Sequence, residues 1–138
     1  MEVDYTSNIE TTDWHKVSEI FSLVGWGLRD PEENRFAFNR SSFVRFAYVN
    51  NELVGFGRTV DDGKYYALIA DLVVHPDYQG KGIGSEILRY LKNSLDGYLF
   101  ITLTSAPGKE AFYDKQGWKK QTTSFIWPRT EDQRKERT

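Results

Sequence analysis

The chain has 138 residues, 28 % of them charged, a formal net charge of −2 and no cysteine. A domain of that length buries a core without staples, no thiol nucleophile, disulfide or cysteine zinc site is available, and the near-neutral charge argues against a general nucleic-acid binder. His15 and His75 are too few and too far apart for a metal cluster, and no signal peptide or long apolar span is recognisable, so a cytoplasmic protein with no membrane contact is expected.

Residues 2–6 alternate polar and apolar around Val3 and Tyr5 and predict a short strand. Asp13 is a good N-cap for a helix carrying Trp14, Val17, Ile20, Phe21 and Val24 on one stripe, closed by Gly25 and Gly27. Asp30-Pro31-Glu32-Glu33 opens a second helix, with an N-cap, a first-turn proline and acids at the positive end of the dipole, running to about Arg40. Residues 26–43 are rich in rings and hold Arg29, Arg35 and Arg40; the plain reading is a helix packed on a sheet through its rings. Residues 43–49 and 53–60 are strands joined by Asn50-Asn51, a pair that accepts positive φ. Asp61-Asp62-Gly63 turns the chain into a third strand over residues 64–74, which Pro76 ends because it has no N–H for a ladder.

Three alternate glycines, Gly80, Gly82 and Gly84, then precede a helix on which Ile83, Ile87, Leu88, Leu91 and Leu95 recur at helical spacing. Glycines at a helix N-terminus let backbone N–H groups face outward, and with the helix dipole they favour an anion, most often phosphate. A tight turn is the plainer alternative. The P-loop pattern fails, since His75 stands where its first glycine belongs and Gly82 where Ser or Thr belongs. The dinucleotide fingerprint fails too, with Ser85 in place of the third glycine. Gly97 stops the helix, and residues 98–103 form a strand expected to lie parallel to its predecessor. Residues 109–116 are a short helix closed by Gly117, and residues 118–121 and 124–127 predict a final strand pair. Residues 129–138 are charged and read as a solvated tail, so a single domain is expected over 1–128 with a flexible tail over 129–138.

The run Gln79-Gly80-Lys81-Gly82-Ile83-Gly84, after a strand ending Val73-Val74-His75-Pro76, resembles the acetyl-CoA pyrophosphate loop of the GNAT acyltransferase superfamily, written Gln/Arg-x-x-Gly-x-Gly/Ala. A second family motif follows at Phe112-Tyr113-Asp114-Lys115-Gln116-Gly117, with Trp118 where Phe is common. The resemblance is clear over about residues 43–127. It implies an α/β (α+β) fold: a twisted, mostly antiparallel sheet, one splayed parallel strand pair, and helices on both faces. It implies N-acetyltransfer from acetyl-CoA, as co-substrate, to a primary amine of a small molecule or protein; a non-catalytic acyl-CoA-binding module on the same fold is the alternative. A homodimer is compatible with it.

The resemblance assigns cofactor binding to Leu72, Val73, Val74, Gln79, Gly80, Lys81, Gly82, Ile83, Gly84 and Ser85, with pantetheine paired along Leu72 to Val74. It supplies a backbone N–H near Val74 for the tetrahedral oxyanion. It places the acceptor pocket against the early helices. Tyr113 is the candidate proton donor to the leaving thiolate, against the alternative of a core tyrosine. Asp71 is a lone carboxylate in an apolar strand, grouped by strand alternation with Ile69 and Val73. It reads equally as an amine-binding or basic group and as a hydrogen-bonded structural acid.

Overall fold

A computed structural model describes residues 1–138, which form two compact units, Met1–Leu103 and Thr104–Thr138. In the first unit the order is β1 (Asp4–Thr6), α1 (Trp14–Leu23), α2 (Pro31–Asn39), β2 (Val44–Val49), β3 (Glu52–Asp61), β4 (Tyr66–Val74), α3 (Ile83–Ser94) and β5 (Phe100–Leu103). The sheet runs β1-β2-β3-β4-β5; its first three pairings are antiparallel and β4–β5 is parallel. This is the mixed sheet that the resemblance implied.

The local signals act as their chemistry dictates. Asp13 accepts from the Lys16 amide and Asp30 from the Glu32 amide, capping α1 and α2. Asn50 and Asn51 both take positive φ, 50° and 66°, and turn β2 into β3.

One face of the sheet is covered by α1 and α2, where Val17, Ile20, Phe21 and Phe38 pack with Val44, Phe46, Leu53, Phe56 and Val73. The other carries α3, whose buried Ile83, Ile87, Leu88 and Leu91 form its apolar stripe. Gly57 sets that contact: a Cβ there would lie 2.9 Å from Leu91 Cδ1 and 3.1 Å from Ile87 Cγ2, so its absence lets α3 seat close to β3.

β4 contains a bulge. Phe56 pairs with Val73 but Arg58 with Ala70, so Asp71 and Leu72 together face Gly57. Asp71 takes φ +54°, unusual for a residue with a side chain. The extra residue shifts the alternation. Val73 joins the α1/α2 core, whereas Ile69, paired with Thr59, shares the α3 face with Gly57. The expected grouping of Asp71 with both Ile69 and Val73 is therefore corrected: those two side chains stand on opposite faces.

The second unit contains α4 (Glu110–Lys115) and α5 (Glu131–Arg137). Gly117, at φ +90°, closes α4: the Trp118 amide donates to the Tyr113 carbonyl and the Gly117 amide to that of Asp114. The charged run is the exposed helix α5, capped by Thr130 Oγ1 on the Gln133 amide. The strand pair expected over residues 118–127 does not form. Phe125 and Trp127, whose burial would have stabilised it, are 96 % and 86 % exposed. An isolated two-stranded hairpin is marginal in water, and Thr122-Thr123 offers no residue suited to a positive-φ turn.

Candidate active site

Leu72 to Ser85 form one continuous strand, loop and helix start. β5 pairs with β4 from Tyr66 to Ile69, and β4 then runs on through Val74 with no β5 residue opposite. The His75 amide donates to the Val54 carbonyl at 2.7 Å. Antiparallel alternation then makes Gly55 and Val74 a non-hydrogen-bonded pair, so the Val74 amide faces away from β3. Its carbonyl, on the same side, accepts from Gln79 Nε2 at 2.9 Å. Gln79 thus folds the loop back onto the strand. The far side of this segment is an open edge of backbone donors and acceptors.

The loop continues through a 3₁₀ turn, Pro76–Tyr78, whose Asp77 amide is held by His75 Nδ1 at 3.1 Å. Gly80 and Gly82 take φ +77° and +86°, and nothing lies within 4 Å of where a Cβ would sit on either. Gly82 is the N-cap of α3 and no side chain caps the helix. The leading amides of a helix have no partner within it. Here the Ile83 and Gly84 amides lie at the positive end of the dipole beside the clear space at Gly80 and Gly82, which fits a diphosphate. Lys81 is exposed. Val73 and Ile83 are 4 % and 1 % exposed, their side chains committed to the core, so only their backbone atoms serve a ligand.

Asp71 lies at the head of the open edge and is not a solitary acid. Its Oδ1 accepts from Arg29 Nη1 at 3.1 Å and its Oδ2 from Arg58 Nε at 2.7 Å. Its side chain is 9 % exposed, against 17 % for Arg58 and 37 % for Arg29. Arg29 comes from the loop between α1 and α2. There the Gly25 and Trp26 amides donate to the Ser22 and Phe21 carbonyls, closing α1, and Trp26 packs on Phe21. The Arg29 guanidinium lies 4.0 Å from the Phe21 ring centroid. The role of Arg58 was missed in the sequence, although it is a lone cation in an apolar strand, the same signal that marked Asp71.

Tyr113 lies on α4 in the second unit, half-buried, with its ring edge-on to Phe112 at 5.0 Å. Burial pushes its phenol above the ordinary value of 10.0, so it carries its proton at neutral pH.

The Acetyltransferase (GNAT) domain model matches residues 40–120. The uncharacterised N-acetyltransferase ycf52 of Porphyra purpurea is 32 % identical over 120 residues, covering 83 % of this chain and 69 % of that protein. The chloroplastic serotonin N-acetyltransferase 2 of Oryza sativa subsp. japonica is 31 % identical over 108 residues, covering 74 % of this chain and 54 % of that protein. The chain thus spans about two-thirds of the algal protein's length and about half of the rice protein's. Among solved structures, a probable acetyltransferase of Staphylococcus aureus, SA2161, superposes with a TM-score of 0.80 at 20 % identity, covering 94 % of this chain and all of that one. The fold is shared with that structure, the domain match takes in more than half of the residues, and the chain belongs to the GNAT acetyltransferase family.

Proposed function

We propose that this chain is an acetyl-CoA-dependent N-acetyltransferase acting on a primary amine. The observation that carries the reading is the continuity of the open β4 edge with the uncapped glycine-cradled start of α3. One offers amides and carbonyls to an amide-bearing arm, and the other offers N–H groups to a diphosphate. Acetyl-CoA has both parts and supplies an activated acetyl thioester. The chain's residues do the remaining work. The leading amides of α3 bind the diphosphate, with the Lys81 charge nearby, and residues 72–74 align the arm. The Val74 amide, turned away from β3, serves as the donor for the oxygen that gains charge on attack. Tyr113, protonated at neutral pH, serves as the proton donor to the departing thiolate.

The test is turnover of acetyl-CoA, read as released thiol, against a panel of amines. The panel includes arylalkylamines, given the rice relative's name, and acceptors bearing acidic groups. Thiol release that depends on the amine, with acetylated product found by mass spectrometry, is expected. Tight acetyl-CoA binding without turnover on any acceptor would instead favour a non-catalytic acyl-CoA-binding module.

A further inference from the structure

We propose that Arg29 and Arg58 form a fork that reads an anionic group, a carboxylate or phosphate, on the acceptor amine, with Asp71 as the residue that positions it. The inference rests on the acetyltransferase reading above and names the acceptor class.

One carboxylate faces two guanidiniums. Asp71 pairs with both, and neither arginine has a second acid as partner. The cluster therefore carries one net positive charge at a part-buried place. A buried charge without a counter-charge is costly, so a site that keeps one fits a ligand that supplies the opposite sign. Each guanidinium has five N–H donors. Arg29 commits one to Asp71, and Arg58 commits Nε to Asp71 and a long 3.5 Å contact from Nη1 to Ser41 Oγ. Arg29 Nε and Nη2 and Arg58 Nη2 make no hydrogen bond within the protein and none of them is fully buried, which leaves them for a ligand.

The two groups are also held still. Arg29 lies over Phe21 and Arg58 lies 5.7 Å from the Phe38 ring centroid, while Asp71 grips both from the bulge. Preorganised guanidiniums suit bidentate recognition of a planar carboxylate or a phosphate. The placement is apt as well. Asp71 immediately precedes the open edge of residues 72–74, and Arg29 comes from the loop between α1 and α2. An acceptor anchored there by its acidic group presents its amine close to that edge. The excess positive charge also disfavours the ammonium form of the amine, and the neutral form is the one that attacks.

The experiment uses matched acceptors: 4-aminobutyrate against butylamine, and O-phosphoethanolamine against ethylamine. The anionic member of a pair should have the higher kcat/KM by about tenfold or more, the scale of one charge-assisted hydrogen bond. Whichever pair shows the larger ratio identifies carboxylate or phosphate. Arg29→Gln should bring that ratio close to one, and Arg29→Lys, which keeps charge but not the fork, should restore it in part. Equal kcat/KM within both pairs, preference for an arylalkylamine over every anionic acceptor, or a ratio unmoved by Arg29→Gln would overturn the proposal. If no amine is acetylated, the acetyltransferase reading fails separately. Calorimetry of 4-aminobutyrate and O-phosphoethanolamine on the folded protein then decides the fork: binding that Arg29→Gln abolishes supports it, and no binding of either overturns it.

Discussion

Arg58 and Asp71 meet across β3 and β4 at 2.7 Å, with a bulge between their strands and the Asp71 backbone at φ +54°. The ion pair and the bulge stabilise one another. The left-handed turn aims the carboxylate at the guanidinium, and the pair holds a conformation that an ordinary side chain avoids.

Asp71→Asn should therefore act on stability and rate together. It leaves two guanidiniums without a counter-charge, and the expected loss is about 2–3 kcal/mol, below the figure for a fully buried pair because Arg29 is partly exposed. A positioning role for Asp71 predicts that reduced kcat accompanies it, with a pH–rate profile of unchanged shape. Melting curves and a pH–rate profile on both proteins check this. A deficit in kcat that shrinks as pH rises would mark Asp71 as the base instead.

Gly82→Asp addresses the cradle. The position has open space but φ +86°, so the variant should fold with modest strain while placing a carboxylate at the start of α3. Like charges about 6 Å apart repel by roughly 3 kcal/mol at an effective dielectric near 20, so acetyl-CoA affinity should fall on the order of a hundredfold. Calorimetry on the folded variant measures it; unchanged affinity would move the diphosphate elsewhere.

Tyr113→Phe keeps the ring against Phe112 and removes only the O–H. The expected loss is on the order of 10²–10⁴ in kcat with acetyl-CoA binding little changed. In the parent, a phenol raised by burial stays protonated past its ordinary value of 10.0, so its contribution should persist through neutral and mildly alkaline pH. A variant turning over at the parent rate would assign the proton to another group.

Asp61 predicts an acid-sensitive term in stability. Its carboxylate accepts from Ser42 at 2.6 Å, from Thr59 and Tyr98 at 2.8 Å each, and from the Gly63 amide at 3.0 Å. Burial raises its pKa, but the bonds from Ser42, Tyr98 and Thr59 outweigh that and leave it below the ordinary 3.8. A depressed folded value means stability that is present above the unfolded pKa and lost as pH falls through the folded one. The melting temperature should thus drop on acidification below about pH 4, and less steeply in Asp61→Asn. Asp62, shifted the same way by backbone amides, stays in both proteins and cancels in the comparison. Parallel melting-temperature slopes for the two would remove Asp61 from the acid response.

What the sequence determined by itself was much of what a few neighbouring residues decide, although the local cap that starts α5 at Thr130 went unread. Asp13 and Asp30 cap helices, Asn50-Asn51 turns a hairpin, and the glycines of residues 80–84 open a helix start, because each signal acts through backbone atoms within a turn or so of its own position. Tertiary structure alone decided the bulge and the partners of Asp71, and together with the poor turn at Thr122-Thr123 it decided the fate of residues 118–127. From Tyr66 to Val74 the strand is apolar at nearly every position, so its alternation says nothing about where one extra residue shifts the faces. Arg29 and Arg58 lie 42 and 13 residues from Asp71, and only the closing of the sheet and of the loop between α1 and α2 makes them its partners. The segment ending Phe125-Ile126-Trp127 carries a strand-like pattern, yet a strand forms only where another backbone stands beside it, and the pattern does not encode that neighbour.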